Sequence, residues 1–103
     1  AVICGNDILA YGALLECQAC GIPVPDAVSI TGFDDLPMSL HIQPPLTTMH
    51  VPSDQMGSRA ADYLLHRLAG KTYTQEMRLE VGLVVRETTA PPDGGTIDRM
   101  AFL

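Results

Sequence analysis

The chain has 103 residues, enough for one domain, and its 47% hydrophobic and 17% charged residues are a globular rather than a disordered balance. Twelve acids against six bases give a net charge of −6, and residues 1–50 hold five of the acids with no Lys or Arg at all. Without clustered bases this chain by itself can neither grip nucleic acid nor settle on an anionic membrane surface, and no apolar run approaches the roughly 18 residues of a bilayer span.

In chain order, residues 1–4 (Ala-Val-Ile-Cys) read as a short buried strand. A chain that opens inside a core element, with no Met and no cap before it, is expected to be a piece of something longer. Gly5-Asn6-Asp7 is a turn, and Asn6 is a good N-cap. Residues 8–20 follow as a helix that is apolar nearly all round, so it should be covered on more than one side; Gly21 stops it. Residues 22–26, with two prolines, read as an extended linker, and residues 28–33 as a second β-branched strand ending in Asp34-Asp35. Strand, helix and strand within 35 residues make a βαβ unit, hence a parallel pair. In open parallel sheets ligands meet the loops beyond the strand C-termini, which here are Gly5-Asn6-Asp7 and Asp34-Asp35.

Residues 36–42 suit one or two helical turns, Pro44-Pro45 forces extended backbone, and residues 46–50 are a third strand. Ser53 should cap a helix over 54–69, with Met56, Ala60, Leu64 and Leu68 on one face and Gly70 at its end. Residues 77–85 alternate as a strand, with Arg78, Glu80, Gly82, Val84 and Arg86 on its wetter face. Residues 91–103 read as a flexible tail.

Enzyme signatures are missing. There is no GxSxG, no Walker loop and no GxGxxG. An acid pair after a strand could serve a phospho-acceptor site, but such a site needs a strand-end Lys, and the one Lys, Lys71, follows a helix. Cys4, Cys17 and Cys20 are an odd count that favours a reducing compartment. The Cys17–Cys20 pair sits at the wrong end of its helix for thiol activation, and His41, His50 and His66 have no metal-ligand spacing, so neither a metal nor a cofactor is expected.

Four blocks then form a familiar series. Cys4-Gly5-Asn6-Asp7-Ile8-Leu9-Ala10-Tyr11-Gly12-Ala13 resembles the xNDxxAxGA junction of LacI/GalR-family transcriptional regulators. The stretch Gly21-Ile22-Pro23-Val24-Pro25-Asp26-Ala27-Val28-Ser29-Ile30-Thr31-Gly32-Phe33-Asp34-Asp35 resembles their GxxVPxDVSxxGYDD block. Pro44-Pro45-Leu46-Thr47-Thr48-Met49 is similar to their PPLTTI crossover strand, and Arg86-Glu87-Thr88-Thr89 to their closing RxTT. The blocks run in family order over residues 1–90.

The resemblance implies an α/β fold: the three-layer, Rossmann-like parallel sheet of the C-terminal subdomain of a type I periplasmic-binding-protein fold. Residues 1–90 would be the C-terminal part of an effector-binding and dimerisation domain. Residues of about 50–76 would belong to the N-terminal subdomain, leaving the apolar stripe of 54–69 without its cover and prone to self-association. The implied function is an effector-sensing, dimerising portion of a cytoplasmic LacI-type regulator. A sugar or sugar derivative would be its ligand, and DNA would be bound only through a headpiece absent from this chain. The alternative is a solute-binding protein of a transport system with the same fold. The resemblance places effector contacts at Asp34 and Asn6. A strand-end carboxylate can accept two hydrogen bonds from neighbouring hydroxyls, and an amide can serve another. It places a homodimer interface at Tyr11, Leu14, Leu15, Met38, Leu40 and Ile42.

Overall fold

The computed structural model describes residues 1–72 and 77–92. The elements are β1 (Val2–Ile3), α1 (Asp7–Ala19), β2 (Ile30–Thr31), α2 (Met38–His41), β3 (Thr48–His50), α3 (Ser53–Leu68) and β4 (Gly82–Val84). Strand β1 pairs in parallel with β2, Val2 opposite Ile30 and Ile3 opposite Thr31. Parallel bridges Thr31–Thr47 and Asp34–His50 carry the arrangement on to β3, and β4 pairs antiparallel with β3 over Thr48–Val84, Met49–Leu83 and His50–Gly82. The βαβ unit and its parallel pair are therefore as expected from the spacing of the apolar runs.

A small core lies between α1 and the strands. Ala10, Leu14, Ile30 and Leu46 are its buried apolar residues, with Tyr11, Ala13, Cys17, Val28 and Ile42 packed on them. Burying a residue such as Ile30 contributes about 2–3 kcal/mol. The centre is also polar: Asp7, Ser39, Thr47, Thr48 and Thr88 are buried. Buried hydroxyls must find partners, and these do. The Thr47 N–H donates to Thr88 Oγ1 at 2.9 Å, and Thr88 Oγ1 donates to the Ile30 carbonyl at 2.6 Å. The Arg86 N–H donates to Thr47 Oγ1 at 2.9 Å. The two Thr-Thr motifs, some 40 residues apart, thus close on each other and on β2.

Several sequence expectations need correction. Strand β1 is not buried: Val2 is 43% and Ile3 87% exposed, because β1 has β2 on one side and no further strand beside it among the described residues. The linker is not extended throughout. Residues 24–27 form a turn, closed by the Ala27 N–H on the Pro23 carbonyl at 2.9 Å, since the chain must reverse between α1 and β2. Ser53 does not cap α3. It is the first helical residue, Pro52 stands at the cap position, and no side-chain cap bond forms there. The strand expected over 77–85 narrows to Gly82–Val84, where β3 supplies hydrogen-bond partners.

Helix α1 is covered on one side only. Asp7, Ala10 and Leu14 are buried, whereas Ile8, Leu9 and Leu15 are exposed. Helix α3 has no buried residue, and its Met56, Leu64, Leu65 and Leu68 all face outward. The radius of gyration, 18.6 Å, exceeds the roughly 13 Å of a compact domain of about 100 residues. Most of the expected tail, residues 93–103, and residues 73–76 lie outside the described residues.

Candidate functional site

The two loops at the C-terminal ends of β1 and β2 lie side by side, joined by the Asp7 N–H on the Phe33 carbonyl at 2.9 Å. On the first loop, Asn6 has extended backbone and caps α1, its Oδ1 accepting the Leu9 N–H at 2.9 Å. That bond uses the amide oxygen and leaves the NH₂ group to donate elsewhere. On the second loop, Asp34 is exposed, with its N–H donating to the Met49 carbonyl at 3.0 Å. Its carboxylate has no hydrogen-bond partner among the described residues. Asp34 (φ 119°) and Asp35 (φ 57°) both lie in the left-handed region, which a residue with a Cβ enters only at a cost and which clusters at functional sites.

Beneath this pair lies a network the sequence reading did not identify. Asp7 sits in the first turn of α1, as an acid there should, but it is fully buried and ties three elements together. Its Oδ2 accepts the Leu36 N–H at 2.8 Å and the Ser39 hydroxyl at 2.5 Å, and its Oδ1 accepts the Thr48 hydroxyl at 2.5 Å. Because Ser39 gives its proton to Asp7, Tyr11 must donate to Ser39 across their 2.7 Å contact. Gly32 makes room for this carboxylate: a Cβ there would collide with Asp7 Oδ1.

Asp35 carries a second cluster. Arg86 Nη2 donates to its Oδ1 at 2.6 Å while Arg86 Nη1 donates to the Leu46 carbonyl at 3.0 Å, and His50 Nδ1 donates to its Oδ2 at 2.9 Å. Burial pushes the Asp35 carboxyl up, but the hydrogen bonds and charges of Arg86 and His50 outweigh it and hold the pKa below the ordinary carboxylate value. Arg86, assigned by alternation to a wetter face, is 15% exposed in its side chain, because the Asp35 carboxylate draws it inward. One sequence signal pointed this way. Residues 1–50 contain no Lys or Arg, so any such partner for Asp35 had to come from the second half.

The six residues expected at an interface divide. Leu14 is a core residue, 5% exposed, and is corrected from surface to core, because it faces Ile30 and Leu46. Tyr11 and Ile42 are partly buried against that core. Leu15, Met38 and Leu40 are exposed by 57–59%. A cavity of about 170 Å³ is lined by Leu14, Cys17, Gln18, Ile22–Val24, Gln43 and Pro44. It is smaller than the roughly 300 Å³ of the smallest usual ligand sites, is free of charged groups, and lies at the far end of α1 from Asn6. Cys4, Cys17 and Cys20 are free thiols, and no cluster of His, Cys, Asp or Glu among the described residues could hold a metal.

The profile of the periplasmic binding protein-like domain matches residues 1–89. The chain is 37% identical over 89 residues to the transcriptional repressor PurR of Vibrio parahaemolyticus, covering 85% of this chain and 27% of that one. It is 30% identical over 92 residues to the lactose operon repressor of Rhizobium radiobacter, covering 89% and 81%. Among solved structures, a LacI-family regulator from Enterococcus faecium with bound ribose superposes with a TM-score of 0.83 at 34% identity, over 88% of this chain and 34% of that one. The lac repressor dimer bound to operator superposes with a TM-score of 0.79 at 32% identity, over 86% and 31%. The chain belongs to the periplasmic-binding-protein-like family and, within it, to the effector-binding domain of LacI-type regulators. It spans about a quarter of the length of the Vibrio PurR repressor. Its relatives are transcriptional repressors rather than enzymes. No helix among the described residues is long and apolar enough to cross a membrane.

Proposed function

We propose that this chain is the effector-sensing and dimerising portion of a cytoplasmic LacI-type regulator, with a sugar or sugar derivative as ligand. Asn6 and Asp34 contact the effector, and DNA is bound through a headpiece outside this chain. The observation that carries the reading is the pair itself. A donor amide and an unpaired carboxylate stand on adjacent loops, held together by the Asp7–Phe33 hydrogen bond, at the strand ends where this fold takes its ligands. Ribose in one similar regulator and D-xylulofuranose in another support the sugar class.

Such a ligand changes DNA binding only through unequal affinity for two conformations. The chain supplies one wall of the site, and residues of about 50–76 form part of the other subdomain. The bare apolar face of α3 fits that assignment, since those side chains need cover that the other described residues do not give. Leu15, Met38 and Leu40, with the exposed face of α1, form the dimer surface.

Calorimetry on the intact protein, with D-ribose and a panel of other pentoses and hexoses, tests the effector role. Asp34→Ala is expected to weaken binding by tenfold or more, about the value of one charged hydrogen bond. Unchanged affinity for every sugar that the parent protein binds would remove Asp34 from the site.

A further inference from the structure

The run from Asp34 to Leu36 is tied down at each residue. The Asp34 N–H is held by the Met49 carbonyl at 3.0 Å, the Asp35 carboxylate by Arg86 and His50, and the Leu36 N–H by Asp7 at 2.8 Å. Three of these four partners lie in the segments that flank α3: Met49 and His50 are in β3, and Arg86 lies two residues beyond β4. What stays untied is the Asp34 side chain. Its backbone, at φ 119°, is one that an Asp does not hold by local preference and that persists only where the surroundings over-determine it.

We propose that Asp35 is a positioning residue for the effector contact: gripped by Arg86 and His50, it locks the loop so that Asp34 keeps its left-handed backbone and presents its carboxylate in a fixed direction. This rests on the effector reading of Asp34 given above. The arrangement is chemically economical. An ionised carboxylate accepts from two side chains on different segments, and Arg86 is itself fixed by its second bond, to the Leu46 carbonyl. Asp35 and Arg86 are 16% and 15% exposed in their side chains, so solvent screens their contact only weakly. Prior fixing of the loop spares the ordering cost when a ligand arrives.

The test uses the intact protein with D-ribose and the sugar panel. Asp35→Asn keeps a residue that tolerates positive φ but removes the charge. The three-bond HN–Hα coupling of Asp34, small at φ 119°, should rise in this variant, and its amide exchange should quicken. The Cys4 and Ile30 amides, bonded to Thr31 and Thr88, should keep their protection, which separates loop release from general destabilisation. Sugar affinity should fall about tenfold. The double variant Asp35→Asn/Arg86→Gln should be no worse than Asp35→Asn alone, because the two act as one unit. If Asp34→Ala abolishes binding while Asp35→Asn leaves both the Asp34 coupling and the affinity unaltered, the positioning role is overturned and the effector reading stands. If Asp34→Ala has no effect on any bound sugar, the effector reading fails and takes this inference with it.

Discussion

Asp7 and Gly32 share one space: the Asp7 carboxylate lies where a Cβ on Gly32 would have to stand. The glycine of the Gly32-Phe33-Asp34-Asp35 motif is therefore there for a neighbour 25 positions earlier, not for a turn. Gly32→Ala should cost about 1–3 kcal/mol by overpacking, since Leu46 Cδ2 at 2.9 Å closes the other side. Asp7→Ala should cost about 3 kcal/mol or more, because it strands the Leu36 N–H and the Ser39 and Thr48 hydroxyls. Urea unfolding of each variant measures both. A loss under about 0.5 kcal/mol for Asp7→Ala, the range of ordinary surface changes, would contradict the network.

The Asp35 cluster makes stability depend on acid. Its folded pKa lies below the ordinary value of about 3.9, so its contribution is full above that range and is lost as pH falls through the folded pKa. Asp35→Asn should therefore be less stable than the parent by roughly 1–2 kcal/mol at pH 7, with the gap closing below about pH 4. Denaturant titrations of both proteins at pH 7 and pH 3.5 measure the gap. A difference that is constant with pH would show that the carboxylate charge is not what matters.

Leu14 and Leu15 are neighbours in sequence with opposite surroundings, 5% and 59% exposed. Leu14→Ala should destabilise the fold by about 2–5 kcal/mol without changing the assembly state. Leu15→Asp, or Met38→Asp with Leu40→Asp, should leave thermal stability of the subunit nearly unaltered and shift the proposed dimer towards monomer in sedimentation velocity. An unchanged dimer with all three positions charged would place the interface elsewhere.

The βαβ unit, its parallel pairing and the Asn6 cap were legible because each follows from a local pattern: a β-branched run, a helical period, a capping residue. The Gly21 helix stop is equally local and shows as a φ of 67°. What escaped is non-local. The partners of Asp7 lie 29 to 41 residues away, and Arg86 is 51 residues from Asp35. No sequence period records such pairings, so Asp7 reads as an ordinary first-turn acid and Asp35 as a solvent or cap acid. Leu14 could not be separated from Leu15 either, because a helix apolar on every side offers no clue to which face meets the sheet. The Ser53 cap failed where the chain entering from Pro52 supplies its own carbonyl, which accepts the Met56 N–H at 3.0 Å.

A structure of the intact protein with its bound sugar decides whether Asn6 and Asp34 hold the effector. Ligand hydroxyls are expected within hydrogen-bond distance of both the Asn6 amide and the Asp34 carboxylate, above the C-terminal ends of β1 and β2. A sugar seated against neither residue, with both side chains turned to solvent, would contradict it.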